Sequence, residues 1–272
     1  MTRLFGSISV ALVLAIALVL TGCGGGGGGG GQGGGQGGGG GGGGEQVTVA
    51  SDIAYPPFEF EKNGRPVGFD IDLMREIGQR AGYTPQFKNV TFDGIIPGLG
   101  NNLYDLSISA MTITKDREQT VDFSDPYFNA DQSLMVRSGS PIKSVEDIGG
   151  ATVGVQIGTT GELKAKELKQ QGKIKGEIRT YDTIPEAFSA LENEQIEAVI
   201  NDFPVSAYRA ETGGGSLEVV QTIPTGEQYG VAFPKGSDLV EPTNKALEEI
   251  KKDGTYAKLY EKWFGQKPEE IP

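Results

Sequence analysis

The chain contains no histidine among its 272 residues. That removes the commonest general base and the commonest metal ligand, leaving any acid–base chemistry to carboxylates, lysine or tyrosine. Cysteine occurs once, at Cys23. Without a second thiol no intramolecular disulfide can form, even in a compartment that would permit one. Cations are also scarce: Lys and Arg number 24 against 36 Asp and Glu, a formal net charge of −12. So acidic a chain is a poor partner for nucleic acid or an anionic membrane face. No metal or organic cofactor is expected.

What is present divides the chain sharply. Arg3 supplies a positive start, Val10 to Leu20 (VALVLAIALVL) an apolar stretch, and Leu20-Thr21-Gly22-Cys23 closes it. The stretch is short of the roughly 20 apolar residues a membrane span needs. Residues 1–22 therefore read as a cleaved export signal. A small-residue pair directly before a solitary cysteine resembles the bacterial lipobox, which implies acylation of Cys23 and cleavage to leave it first. Residues 24–44 are nineteen glycines interrupted only by Gln32 and Gln36. With no strand signal before them and no helix after, their matches to glycine-rich phosphate motifs carry nothing. Such a tract buries no apolar surface and reads as a flexible tether with an r.m.s. span of roughly 25 Å.

The remaining residues, 45–272, alternate between strand and helix patterns, which argues an α/β fold with a largely parallel sheet. QVTVAS (Gln46 to Ser51) alternates and is valine-rich, a strand. GFDIDLMREIGQRAG (Gly68 to Gly82) is a helix with Ile71, Met74, Ile77 and Ala81 on one face, capped by Asp70 or Asp72. TPQFKNV and LYDLSISA read as further strands, with a short helix at FDGIIPGLGNN between them. The same strand–loop–helix order restarts at ATVGVQIGTTGE, and EAVIN is another strand with Asp202 beyond its end. QYGVAFPKG reads as one strand, and TNKALEEIKKDGTYAKLYEKWFG as two amphipathic helices with Trp263 and Phe264 as core anchors. Two such units suggest two lobes joined by two crossings, near Asn129 to Ser133 and Gln221 to Gly226. The divisions are 45–129 with 226–272 for the first lobe, and 130–225 for the second.

One stretch, SISAMTITKDREQT (107–120), combines a strand end, two threonines and Arg117. A solvated ion pair would explain an arginine there. Capture of a small carboxylate needs the same ingredients: a two-donor guanidinium fork, a hydroxyl and free N–H groups at a strand end.

The motifs GFDIDLMREIGQRA, FDGIIPGL, MTITKDREQTVDFSDPYF, GTTGE, VINDFP, QYGVAFPKGS and DGTYAKLYEKWFG follow in order over 45–272. Together they resemble the polar amino-acid-binding proteins of ABC transporters. The resemblance implies a type II periplasmic-binding-protein-like fold: two α/β lobes, a two-strand hinge and an amino acid clamped between. It implies that Arg117 grips the ligand α-carboxylate, with Thr112 and the backbone near Ala110. Thr159 and Thr160 would reach that carboxylate from the second lobe at a helix N-terminus, where anions are favoured. Asp202 and the Ala110 carbonyl would take the α-ammonium. Tyr55 and Phe92 would sandwich the side chain, and Asp52, Ser109 and Gln156 would line its far end. The implied partners are a free L-amino acid, permease subunits and, through Cys23, the outer side of the cell membrane, with the protein acting as a monomer.

Asp52 and the acidic balance suit a cationic side chain, arginine first. Resembling glutamine-binding proteins also carry this Asp, but they tend to place basic groups where this chain has Gln156 and Asn201. A glutamine-specific binder therefore stays open as an alternative. A second class is enzymatic, because exported cyclohexadienyl dehydratases resemble the family. Such an enzyme needs a cleft acid to protonate a leaving hydroxyl, for which Glu59 or Asp52 could serve. The ligand-sensing domain of a receptor or channel is a third reading.

Overall fold

A computed structural model describes residues 44–272. The expected signal segment, Cys23 and all but the last residue of the glycine tract lie outside the described residues.

The first part of the chain runs β1 (Glu45–Ser51), a small antiparallel sheet of β2 (Ala54–Tyr55), β3 (Glu59–Lys62) and β4 (Arg65–Val67), and α1 (Phe69–Ala81). It continues through β5 (Tyr83–Asn89), α2 (Phe92–Gly100), β6 (Leu106–Ser107) and β7 (Val121–Phe123). Next come β8 (Phe128–Arg137), β9 (Val153–Gln156), α3 (Thr160–Gln170), β10 (Ile178–Tyr181) and α4 (Ile184–Glu192). The chain closes with β11 (Ala198–Asp202), α5 (Phe203–Thr212), β12 (Leu217–Tyr229), β13 (Ala232–Pro234), α6 (Val240–Lys252) and α7 (Thr255–Phe264).

Two five-stranded sheets result, ordered β5-β1-β6-β13-β7 and β10-β9-β11-β8-β12. They form the cores of two α/β lobes. Each sheet is mixed rather than largely parallel. Three neighbouring strands run parallel in each, and the other two, β13 and β7 or β8 and β12, pair antiparallel. The antiparallel strands are those nearest the passages between sheets, where the chain doubles back instead of crossing over through a helix.

Helix α1 buries Phe69, Ile71, Leu73, Met74 and Ile77, each contributing about 1.5–3 kcal/mol of hydrophobic stabilisation. Neither expected cap forms: Gly68 occupies the N-cap position and Asp70 is wholly buried. At Gly68 φ is +137°, and a Cβ would lie 1.9 Å from the Phe58 carbonyl oxygen, so only glycine fits. The carboxylate of Asp72 instead meets Lys262 and the Trp263 indole, fastening α1 to α7. Phe264 packs among Phe58, Phe69, Phe128 and Tyr260, as expected of a core anchor.

Two predicted strands are broken. LYDLSISA keeps only Leu106–Ser107 as strand, and the chain turns at Ala110, whose φ is +42°. QYGVAFPKG is divided: β12 ends at Tyr229 in one sheet and β13 begins at Ala232 in the other. Hydrophobic alternation continues through both breaks, because Ile108, Ala110, Tyr229 and Val231 all stay buried. Periodicity reports burial and is blind to a change of partner strand.

Candidate functional site

The turn after β6 sets the first wall. A non-glycine residue at positive φ is strained, and Ala110 is held there by its N–H, which donates to Asp70 Oδ2 at 2.7 Å. That carboxylate also accepts from Tyr127 Oη at 2.7 Å. Beside it lies Glu59, wholly buried, whose Oε1 accepts from Ser109 Oγ at 2.8 Å. Desolvation, and then the field of Asp70, raise Glu59 well above the usual carboxylate range; desolvation raises Asp70 to about 6 against its hydrogen bonds from Ala110 and Tyr127. The Asp52 N–H donates to the same Ser109 hydroxyl at 2.9 Å. The buried acids thus fix the backbone of the pocket floor.

Arg117 opens a short 3-10 turn, Arg117–Gln119. Its guanidinium donates from Nη1 to the Thr112 carbonyl at 2.7 Å and from Nη2 to the Gly158 carbonyl at 3.0 Å. The guanidinium carbon stands 5.2 Å from the centre of the Phe92 ring, a cation–π arrangement. Arg117 therefore touches both lobes. Desolvation lowers its pKa, while the fields of Asp202 and Glu227 oppose the shift; the group remains protonated at any physiological pH.

The opposite wall is built on the ends of β9 and β11. Gln156 ends β9 and donates to Asp52 Oδ2 at 2.6 Å, joining the lobes. Gly158 has φ +76°, and a Cβ there would come 3.1 Å from that of Asp93. Thr159 is the N-cap of α3, accepting from the Glu162 N–H at 3.1 Å and donating to the Gln156 carbonyl at 2.7 Å. Its hydroxyl is thereby committed within its own loop. Thr160 is the first helical residue, where backbone N–H groups have no intrahelical partner.

Asp202 ends β11 and precedes α5, yet makes no side-chain cap bond. Its carboxylate accepts from Gln132 Nε2 at 2.5 Å and from the Tyr229 hydroxyl. Burial first, and then the field of Glu227, raise its pKa to about 6. Asp52 is likewise raised to about 6 by burial, against the lowering effect of Gln156. Tyr55, almost wholly buried, donates to Asn201 Oδ1 across the lobes at 2.9 Å.

Ten of the eleven expected contact residues line one pocket: Tyr55, Phe92, Ser109, Ala110, Thr112, Arg117, Gln156, Thr159, Thr160 and Asp202. Asp52 adjoins it through Gln156. The pocket leaves only about 10 Å³ of free space, roughly room for one water molecule. Arg117 is the one cation among these lining residues. Larger hollows lie elsewhere, but the convergence of buried charge is here.

The chain matches the bacterial extracellular solute-binding proteins, family 3, over residues 47–266. It belongs to that family. Among relatives, it is 34% identical over 223 residues to a probable histidine-binding protein of Neisseria gonorrhoeae, covering 80% of this chain and 82% of the relative. It is 36% identical over 213 residues to the ABC transporter glutamine-binding protein GlnH of Bacillus subtilis, covering 76% of each. An ancestral arginine-binding protein solved with arginine superposes with TM-score 0.76 at 44% identity, covering 81% of this chain and 98% of that one.

Three contributors to this family 3 site were not anticipated from the sequence, Gln132, Glu227 and Tyr229, and Asn201 only as a position lacking a basic group. Gln132 left a trace, since it interrupts an inward-facing set with Leu134 and Val136. Glu227 left none. The register of β12 shifts between Ile223 and Glu227, so no alternation rule assigns its face.

Proposed function

We propose that this protein captures a polar, cationic L-amino acid, arginine first, between its two lobes and delivers it to a membrane permease. The carrying observation is the charge pattern: Arg117 is the one cation lining the pocket, Asp202 lines it as well, and buried Asp52 adjoins it through Gln156. A zwitterion uses Arg117 and Asp202, and the remaining acid, Asp52, selects a second cation on the side chain. The strands β8 and β12 act as the hinge between lobe 1 (45–129 and 226–272) and lobe 2 (130–225). Binding without chemistry is favoured because neither candidate proton donor lines the pocket: Glu59 is sealed beneath Ser109, and Asp52 is held by Gln156. The deciding experiment is a thermal-shift screen over the twenty amino acids with ornithine and citrulline. A ligand at 100 times its dissociation constant adds about 2.7 kcal/mol of stability. No shift with any of them would refute the reading.

Asp52 gives the specificity test. Asp52→Asn keeps size and removes charge, so affinity for arginine or lysine is expected to fall by about tenfold or more, while glutamine changes little. Equal losses, measured by calorimetry, would make Asp52 structural and favour a neutral ligand.

The proposed anchor is lipid on Cys23, with the protein facing outward from the cell membrane. Two acyl chains give stable attachment where one is marginal. Cys23→Ser is expected to move the protein from the membrane fraction to the soluble one with ligand affinity unchanged. A variant that still sediments with membranes would count against lipidation. No described helix is long and apolar enough to cross a membrane.

A further inference from the structure

Glu227 does not line the pocket, yet its Oε2 gathers groups that do. It accepts from Thr112 Oγ1 at 2.9 Å, on the first lobe, and from Thr160 Oγ1 at 2.7 Å, at the start of α3. Gln132 Nε2 approaches it at 3.3 Å and also donates to Asp202 Oδ1 at 2.5 Å. One carboxylate oxygen on β12 thus meets both walls of the site.

The chemistry of a hydroxyl gives this arrangement a consequence. Each threonine has one hydroxyl hydrogen and two lone pairs, whereas an ionised carboxylate only accepts. Thr112 and Thr160 both donate to Glu227, so what their oxygens have left is lone pairs, one of Thr160's being taken by Gln132 Nε2 at 3.3 Å. A ligand carboxylate gains nothing from an acceptor; a ligand ammonium, with three hydrogens, does. The carboxylate end is then left to Arg117 and to backbone N–H groups such as that of Thr160.

We propose that Glu227 is a positioning residue that fixes the polarity of the Thr112 and Thr160 hydroxyls. It holds both as acceptors and so makes the site demand a primary ammonium on the ligand. The inference rests on the amino-acid-binding reading. It predicts that Glu227 is coupled to the ligand's ammonium although the two do not touch.

The test is a cycle on the full chain. Affinities of wild type and Glu227→Gln are measured by calorimetry for L-arginine and for 5-guanidinopentanoate, the same molecule without its α-ammonium. The pair L-glutamine and 4-carbamoylbutanoate replaces them if the screen selects glutamine. Glutamine at 227 can donate through its amide, which frees a threonine hydroxyl to turn. The variant is expected to lose about tenfold for the amino acid, the scale of one charged hydrogen bond, and less than about twofold for the deaminated analogue. Glu227→Asp, which keeps a carboxylate, is expected to recover part of the loss and supplies the comparison should Glu227→Gln not fold. Equal losses for both molecules would assign Glu227 a merely structural role and overturn the proposal, as would no loss for either. If wild type binds none of the amino acids, the binding reading itself fails, an outcome distinct from wild type binding and Glu227→Gln matching it.

Discussion

Replacing Arg117 by alanine is expected to weaken amino-acid binding by roughly 30- to several-thousand-fold. Removing one partner of a buried, hydrogen-bonded charge pair costs about 2–5 kcal/mol or more, and each 1.4 kcal/mol is tenfold in affinity. Arg117 is half-buried and already spans the lobes through the carbonyls of Thr112 and Gly158. Its loss therefore removes both the counter-charge of the ligand carboxylate and a bond that favours closure. Arg117→Lys is expected to restore only part of the affinity. An ammonium cannot reproduce the planar fork, nor the same contact over Phe92.

The decisive control is stability without ligand. The two carbonyls that Arg117 serves border the cleft, where water can replace the guanidinium in an open form, so the variant is expected to melt only slightly lower. Small-angle scattering should show wild type contracting with ligand and Arg117→Ala failing to do so. An Arg117→Ala protein that binds normally yet melts far lower would show a structural ion-pair residue, and the clamp would be wrong.

The wall residues carried by local signals were legible in the sequence. Arg117, Thr159, Thr160 and Asp202 stand at strand ends and helix starts, where sequence spacing and position in space coincide. The fold class was legible for the same reason, through alternating patterns and stop signals around α1, α6 and α7. What escaped depends on distant partners. That Asp70 supports Ala110 rather than capping α1 depends on two residues forty apart in sequence. The role of Glu227 depends on a register shift in β12 and on threonines from two separate lobes. Likewise, the division of QYGVAFPKG between sheets is invisible to an alternation that both halves obey. Burial is a local property of a pattern; the choice of partner is not.

Asp202 should show the other large effect, and it should carry a pH signature. Asp202→Ala removes the counter-charge of the α-ammonium in a site where Asp202 is 5% exposed, so a loss of about 2–5 kcal/mol in binding is expected here too. Asp202→Asn keeps the shape and loses the charge, which separates packing from electrostatics. The acid's pKa is raised to about 6 by burial and by Glu227, and that of Asp52 to about 6 by burial. An ammonium needs the ionised form. Affinity for a neutral amino acid is thus expected to be level above pH 7 and to fall by about tenfold on going to pH 5, as Asp202 protonates. A cationic amino acid, which uses Asp52 as well, should lose about a hundredfold over the same interval. Stability without ligand runs the opposite way. Both folded-state values lie above the ordinary carboxylate value, so between pH 4 and 6 the folded protein holds more protons than the unfolded chain. Ligand-free stability should therefore decline as pH rises through that window, by up to ~3 kcal/mol for each group. Calorimetric titrations from pH 5 to 8, with thermal melts of the empty protein, test both trends. In Asp202→Asn the tenfold step for a neutral ligand should vanish. If the step persists there, another group governs it and Asp202 is not the ammonium's partner.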